Sequence, residues 1–358
     1  MKKIISVVGA RPQFIKCAAL SKQIRKHFTE IIIHTGQHYD YEMSKSFFDE
    51  LGIPEPNYNL EIGSGKPAWQ IASMMIKLEE IFEKEKPDCV IVFGDTNSTA
   101  AATIAAVKNN IKVAHIEAGL REFDKSIPEE TNKLITDALC DYYFCPTPTA
   151  VSILKNMGIT EHVYNVGDVM IDIIEDNFEK IKSNNSILLK NNVQEKNYVF
   201  VTCHRAANTD NIENLKQILI ALNEIKYSLI FALHPRTKKI IEQNNLEYLL
   251  ESPYIKVVNP LGYFDTQTLI HCAKYVITDS GGVTKEAYYH KVQGILIDKQ
   301  TEWVETLNEE WNFQAGPNTK KILENIAMLG SPKAQKNCLG NGDASIKIAT
   351  ILNEVLKK

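Results

Sequence analysis

The chain has 358 residues, 44% hydrophobic and 23% charged, with 40 basic and 44 acidic side chains and a net charge of −4. At roughly 100–200 residues per domain, this length predicts two domains, each able to bury its own core. The charges are well mixed with no basic stripe, which argues against a nucleic-acid partner, and no apolar run reaches the ~18 residues of a bilayer-spanning helix.

The chain opens with Ile4–Val8, a β-branched run closed by Gly9-Ala10-Arg11-Pro12. Arg11 and Lys16 interrupt it and no A-x-A site follows, so it reads as a first strand and not as a signal peptide. Helical periodicity over Pro12–Lys26 comes next, then strands at Glu30–His34, Cys89–Phe93, Val113–Ile116 and Tyr142–Cys145, with helices over Gln70–Glu85 and Thr99–Lys108. Continuous apolar strands alternating with helices predict a parallel sheet covered on both faces, the doubly wound α/β class. A turn at Asn165–Asp168 precedes a helical stretch Met170–Ile181, and 182–195 is polar and rich in Asn and Ser, as a linker would be. The alternation restarts with Tyr198–Cys203, Ser228–Leu233, Ile255–Val258, Tyr275–Thr278 and Gly294–Ile297, and Ala344–Leu356 reads as a last helix. The expectation is two Rossmann-like domains, 1–168 and 169–343, flanking a cleft, with 344–358 joining the first. The seven cysteines form no C-x-x-C pair and their number is odd, which fits a reduced, cytoplasmic protein.

In open α/β sheets ligands bind beyond the carboxyl ends of the strands. Six predicted strands end in ionisable or glycine-rich segments on that side: Arg11, Gly94-Asp95, Glu117 to Arg121, His204-Arg205, His234-Pro235-Arg236 and Asp279-Ser280-Gly281-Gly282. The last precedes a helix. Glycines let a ligand approach the backbone, and N–H groups at a helix start attract anions, which suits a diphosphate; alternatively, Ser280 is simply a helix cap. Arg11, behind a tight turn, is placed to clamp phosphate. Asp95, Glu117 and Glu129-Glu130 put several carboxylates on one rim, as proton removal and return would require; Asp95 or Glu117 read alone is also a plausible turn or cap residue. His204 is either a site residue or a core histidine. No G-x-G-x-x-G or Walker sequence points to NAD or ATP, and His34 and His38, split by Thr35-Gly36, make a poor metal pair; no cofactor or metal is expected.

Taken in order, Gly9-Ala10-Arg11-Pro12-Gln13-Phe14-Ile15-Lys16, Thr35-Gly36-Gln37-His38, Gly94-Asp95-Thr96, His115 to Arg121, Pro128-Glu129-Glu130, His204-Arg205 and Asp279 to Gly282 with Glu286 resemble the non-hydrolysing UDP-N-acetylglucosamine 2-epimerase family over nearly the whole chain. The resemblance implies a GT-B-like fold, a UDP-sugar substrate and an isomerase that eliminates UDP to a bound 2-acetamidoglucal and re-adds it, in surface-polysaccharide precursor synthesis. It implies that Asp95, Glu117 and one of Glu129 and Glu130 are the acid–base carboxylates, with His204 near the diphosphate. It further implies that Arg11, His234, Ser280, Gly281 and Gly282 hold UDP, that Glu286 reaches the ribose and that Phe264 lies near the uracil. A homodimer without membrane attachment is implied too, and Gln37-His38 resembles a segment linked to allosteric activation in bacterial relatives. Thr301 to Glu305 and Gly340 to Ser345 are similar to a branch acting on UDP-2,3-diacetamido-2,3-dideoxy-glucuronate. Trp303, Ala207 and Lys133 stand where Arg, Glu and Arg are usual, and Lys cannot make Arg's bidentate contact. The rival readings are a GT-B glycosyltransferase, a hydrolysing epimerase and a UDP-sugar sensor. Glycosyltransferases of the retaining kind often carry two Glu eight apart, whereas Gly294 stands eight beyond Glu286.

Overall fold

The computed structural model describes residues 1–37 and 50–357; the expectation for His38 therefore lies outside the described residues. Residues Met1–Asp176 with Asn337–Lys358 form one compact unit, and Asn177–Lys336 form a second.

The first unit holds a seven-stranded sheet built from β1 (Lys3–Val8), β2 (Thr29–His34), β3 (Tyr58–Asn59), β4 (Cys89–Phe93), β5 (Lys112–Ile116), β6 (Tyr142–Cys145) and β7 (Val163–Asn165). Their order is β3-β2-β1-β4-β5-β6-β7, and every pairing is parallel. All five residues of β4 are buried, as are Ile4 to Val8 of β1, because helices cover both faces. The Asn97–Lys108 helix supplies Ala100, Ala101, Ala102, Ala105 and Ala106 to the interior. Side chains this small let a helix lie close to its neighbours, which fixes the turn between β4 and that helix.

The second unit repeats the arrangement with β8 (Val199–Cys203), β9 (Leu229–Leu233), β10 (Ile255–Val258), β11 (Tyr275–Thr278), β12 (Gly294–Leu296) and β13 (Asn312–Gln314). The order β10-β9-β8-β11-β12-β13 is again all parallel. Both sheets thus have the doubly wound order, which reverses between β1 and β4 in one and between β8 and β11 in the other.

Three features differ from the expectation. The Met170–Ile181 helix is broken at Asn177 into Val169–Asp176 and Phe178–Ser183. The polar 182–195 stretch contains a helix, Asn185–Asn191, because Ile187 and Leu188 bury into the second unit's core. The first unit also extends to Asp176 and regains the chain at Asn337. The reason is local: Val169–Asp176 packs on Arg11–Ile24 and on the last helix, Ala344–Val355. The Asp168 N–H donates to the Leu339 carbonyl at 2.8 Å, and the Asp172 carboxylate accepts from the Ala344 and Ser345 N–H groups at 3.1 and 2.6 Å. A buried carboxylate thereby caps the start of the returning helix.

Candidate active site

The loops after β1 and β4 stand at the switch point of the first sheet, where ligands bind in such folds. After β1 the turn is held by Gln13, whose Oε1 accepts the Gly9 and Ala10 N–H groups at 2.8 and 3.1 Å and whose Nε2 donates to the Phe93 carbonyl at 2.8 Å. One side chain therefore ties the end of β1 to the end of β4. Arg11, partly exposed, begins the helix that follows. One turn further in, Lys16 reaches back with its Nζ 2.6 Å from Glu117 Oε2, and both side chains are largely buried. Gly94 faces this ammonium. Its φ of +59° is left-handed, and a Cβ there would come within 3.1 Å of Lys16 Nζ. Glu117 adopts φ +73°, a conformation that costs a non-glycine residue energy and that gathers at functional sites. Lys16, Glu117, Pro146, Gly167 and Asp168 line a recess.

Asp95 lies beside the Pro128–Leu139 helix. Lys133, itself buried, places its Nζ 3.5 Å from Asp95 Oδ2 and 3.4 Å from Glu122 Oε2. Lys133 thus serves two carboxylates as a point charge. The adjacent pair Glu129 and Glu130 separates cleanly. Glu130 is buried, and its Oε2 accepts the Glu122 N–H at 2.9 Å, which is a structural task. Glu129 is exposed at the helix start.

Behind these turns runs a buried network. His115 on β5 places Nδ1 2.6 Å from Asp137 Oδ1 and Nε2 2.7 Å from the Gly94 carbonyl. Asp137 Oδ2 meets Arg121 at 2.6 Å and accepts the Gly119 N–H at 3.1 Å. Burial alone would push the Asp137 carboxyl up, but the His115 and Arg121 charges outweigh it and hold it below its ordinary range.

In the second unit the corresponding loops follow β8 and β11. Asp279, buried at the end of β11, accepts from the His204 N–H at 3.0 and 2.9 Å, from the Arg205 N–H at 2.9 Å and from Asn208 Nδ2 at 3.1 Å. Its carboxylate is spent on shaping the neighbouring turn. His204 itself is 41% exposed at the side chain and lies 5.9 Å, ring to ring, from His234, so it is not a core histidine. His234 caps the Pro235–Gln243 helix, its Nδ1 accepting the Arg236 N–H at 3.2 Å. Ser280 caps Gly281–Tyr289 through Oγ, which accepts the Val283 N–H at 3.4 Å. The cap role is therefore real, and it presents the first-turn N–H groups of Gly281 and Gly282, which have no partner within a helix. Next to them Arg205 Nη1 pairs with Asp298 Oδ2 at 2.7 Å. Burial raises the Asp298 carboxyl, partly opposed by Arg205.

Trp303 is 1% exposed, with the Lys285 ammonium 4.6 Å from its ring centroid. A Cβ on Gly281 would lie 3.3 Å from Trp303 Nε1 and 3.6 Å from Arg205 Nη2. The buried indole at 303 thus has a buried lysine over it. Phe264 is buried beneath Lys180, whose Nζ is 3.4 Å from the ring centroid, and Glu286 is buried in the helix after Gly282. Ala207 is exposed, and the structure gives no reason for the alanine. Gly294 lies in β12, where a Cβ would collide with Asn312, so no second glutamate fits eight residues beyond Glu286. Lys16, Lys133 as a bridge, and Asp137 were not predicted as site residues. Lys16 stands one helical turn beyond Arg11-Pro12, a spacing that could have suggested it.

The first unit thus carries the lysine-paired carboxylates Glu117 and Asp95 at its strand ends, and the second carries a helix start led by Ser280, Gly281 and Gly282. The sequence profile of the UDP-N-acetylglucosamine 2-epimerase family matches residues 21–353. A UDP-N-acetylglucosamine 2-epimerase homolog of Methanococcus maripaludis is 50% identical over 99% of this chain and 100% of its own length. The UDP-2,3-diacetamido-2,3-dideoxy-D-glucuronate 2-epimerase of Pseudomonas aeruginosa is 41% identical over 98% and 99%. The crystal structure of Methanocaldococcus jannaschii UDP-GlcNAc 2-epimerase in complex with UDP-GlcNAc and UDP superposes with a TM-score of 0.92 at 39% identity, covering 99% of this chain and 100% of that one. The chain belongs to the UDP-N-acetylglucosamine 2-epimerase family; it has the GT-B-like fold and is an isomerase, a non-hydrolysing UDP-sugar 2-epimerase.

Proposed function

We propose that the second unit holds UDP while the first inverts C2 of a 2-acetamido sugar, either UDP-GlcNAc with UDP-ManNAc or UDP-2,3-diacetamido-2,3-dideoxy-glucuronate. One carboxylate takes the C2 proton as the C1–O bond to UDP breaks, leaving a 2-acetamidoglucal. A proton then returns to the opposite face of C2 and the diphosphate oxygen re-forms the bond at C1. The observation that carries this reading is the pair of lysine-bound carboxylates at one switch point, Glu117 with Lys16 and Asp95 with Lys133. Two poised carboxylates suit removal and return of a proton on different faces. Exposed Glu129 is the third acid–base candidate, in preference to Glu130. Arg11, His204, His234 and the Ser280–Gly282 helix start hold the diphosphate, whose developing charge such N–H groups and cations stabilise. Glu286 and Phe264 serve the nucleoside.

The enzyme works as a cytoplasmic homodimer supplying surface-polysaccharide precursors. Free cysteines, six of them buried, support the compartment. No helix among the described residues is long and apolar enough to cross a membrane. Trp69, 54% exposed, and Ile76, 62% exposed, lie two turns apart on the Pro67–Glu85 helix, and such apolar exposure supports self-association.

The test is incubation with each nucleotide sugar in deuterated water, following C2–H by NMR. Deuterium at C2 with the UDP linkage intact is expected for at least one. Free sugar and UDP would indicate hydrolysis, and no exchange with either substrate would sink the reading.

A further inference from the structure

Asp95 and Glu117 sit on turns, where backbone freedom would blur a proton-transfer geometry. Each turn is gripped from behind. The Gly94–Asp95 peptide is planar, so fixing the Gly94 carbonyl fixes the plane from which Asp95 departs. His115 Nε2 holds that oxygen at 2.7 Å, while the Gly94 N–H donates to the Ile116 carbonyl at 2.9 Å. On the far side of Asp95, its own carbonyl accepts from Asn132 Nδ2 at 2.9 Å. The Glu117 turn is held at Gly119, whose N–H donates to Asp137 at 3.1 Å. The same carboxylate meets His115 Nδ1 at 2.6 Å, so Asp137 reaches both turns, one directly and one through the imidazole.

The proton count on His115 follows from its partners. A carbonyl oxygen only accepts, and so does a carboxylate, so both ring nitrogens must donate. His115 and Asp137 are 1% and 0% exposed at the side chain, and Arg121 completes the cluster at 2.6 Å from Asp137.

We propose that His115 and Asp137 are positioning residues: a doubly protonated imidazole and its carboxylate hold the Gly94–Asp95 and Glu117–Gly119 turns in the geometry that proton exchange at C2 requires. The proposal rests on the epimerase reading for its kinetic readout, whereas its spectroscopic readout stands alone.

The test compares wild type, His115→Phe and Asp137→Asn. In 15N-histidine-labelled wild type at neutral pH, the resonances absent from the His115→Phe spectrum should show both ring nitrogens protonated. In Asp137→Asn, the asparagine amide can donate to Nδ1, so His115 should revert to one proton while still donating to Gly94. If His115→Phe does not fold, Asp137→Asn supplies the spectral difference. For folded variants the rate constant of C2 deuteration at saturating substrate should fall on the order of 100-fold, as expected for a displaced reacting group. KM and the Kd for UDP, which the second unit binds, should stay within about twofold. Wild-type spectra with one unprotonated ring nitrogen overturn the proposal, as does a folded variant whose kcat stays within about threefold of wild type. If wild type itself exchanges no deuterium, the epimerase reading fails, and the 15N spectrum alone then decides on the clamp.

Discussion

His290 titration should set the acid limit of the second unit. The residue is 6% exposed at the end of the Gly281–Tyr289 helix. Its Nε2 meets Gln267 Oε1 at 3.0 Å, and its ring lies 5.0 Å from that of His271 and 6.4 Å from Phe178. The Nδ1 atoms of His271 and His290 are buried with no hydrogen-bond partner among the described residues. Burial first, then His271 and Lys196, push the His290 pKa down from 6.5 to about 3. His271 is lowered as well, by burial and by Lys196. A histidine lowered on folding stays neutral in the native state while the unfolded chain takes up a proton. Stability is therefore fully present above pH 6.5, falls as pH drops through that value, and levels off near pH 3. At about 1.4 kcal/mol per pH unit, the descent from pH 6.5 to 5 costs about 2 kcal/mol from His290 alone. Chemical denaturation of wild type and His290→Gln at pH 7.5 and pH 5 measures it, because contributions from histidines remote from His290 cancel in the difference. The variant should start less stable but lose about 2 kcal/mol less on acidification. Equal losses in the two proteins would refute the reasoning.

The adjacent glutamates should part company: Glu129→Gln should slow C2 deuteration by about 100-fold or more with melting unchanged, while Glu130→Gln, which disturbs the acceptor of the Glu122 N–H, should lower stability by about 1–3 kcal/mol in denaturation. Asp172→Ala should cost about 1–3 kcal/mol by uncapping Ala344–Val355, and hydrogen exchange should rise first in that helix. Trp303→Ala should destabilise by about 3–5 kcal/mol through its cavity, whereas Trp303→Phe should cost clearly less. Lys133→Arg, with two carboxylates in reach, should retain activity within about tenfold, and Lys133→Met should lose more, as measured by deuteration rate.

Much of this site is legible in the sequence because a doubly wound sheet places function at strand ends, and strand ends are marked by apolar runs stopping at Gly, Asp, His or Arg. Gly94-Asp95, Glu117, His204 and Ser280-Gly281 all fall there as expected. What periodicity does not show is which way a side chain turns. Glu129 and Glu130 are neighbours in a helix start, and only the fold sends one to solvent and one to the Glu122 N–H. Nor does periodicity show that Asp279, at the end of the same strand as Ser280, is consumed by the His204–Arg205 backbone. Lys16 sits inside the predicted Pro12–Lys26 helix and Asp137 in the Pro128–Leu139 helix, which was not predicted, and both are far in sequence from the turns they serve. The break at Asn177 was invisible because apolar residues continue on both sides, at Ile174 and Ile181, and packing against two different units decides it.

The return of Asn337–Lys358 to the first unit has a consequence for how the protein is made. The 160 residues Asn177–Lys336 are an insertion within the first unit's fold. During vectorial synthesis at about 5–20 residues per second, the first sheet waits some 10–30 s for its last helix. Through that interval the faces of Arg11–Ile24 and Val169–Asp176 that receive Ala344–Val355 are uncovered, and Asp172 is a carboxylate with nothing to cap. The inserted unit, contiguous in sequence, can complete its fold first. The nascent chain therefore finishes its domains in the reverse of the order in which they begin.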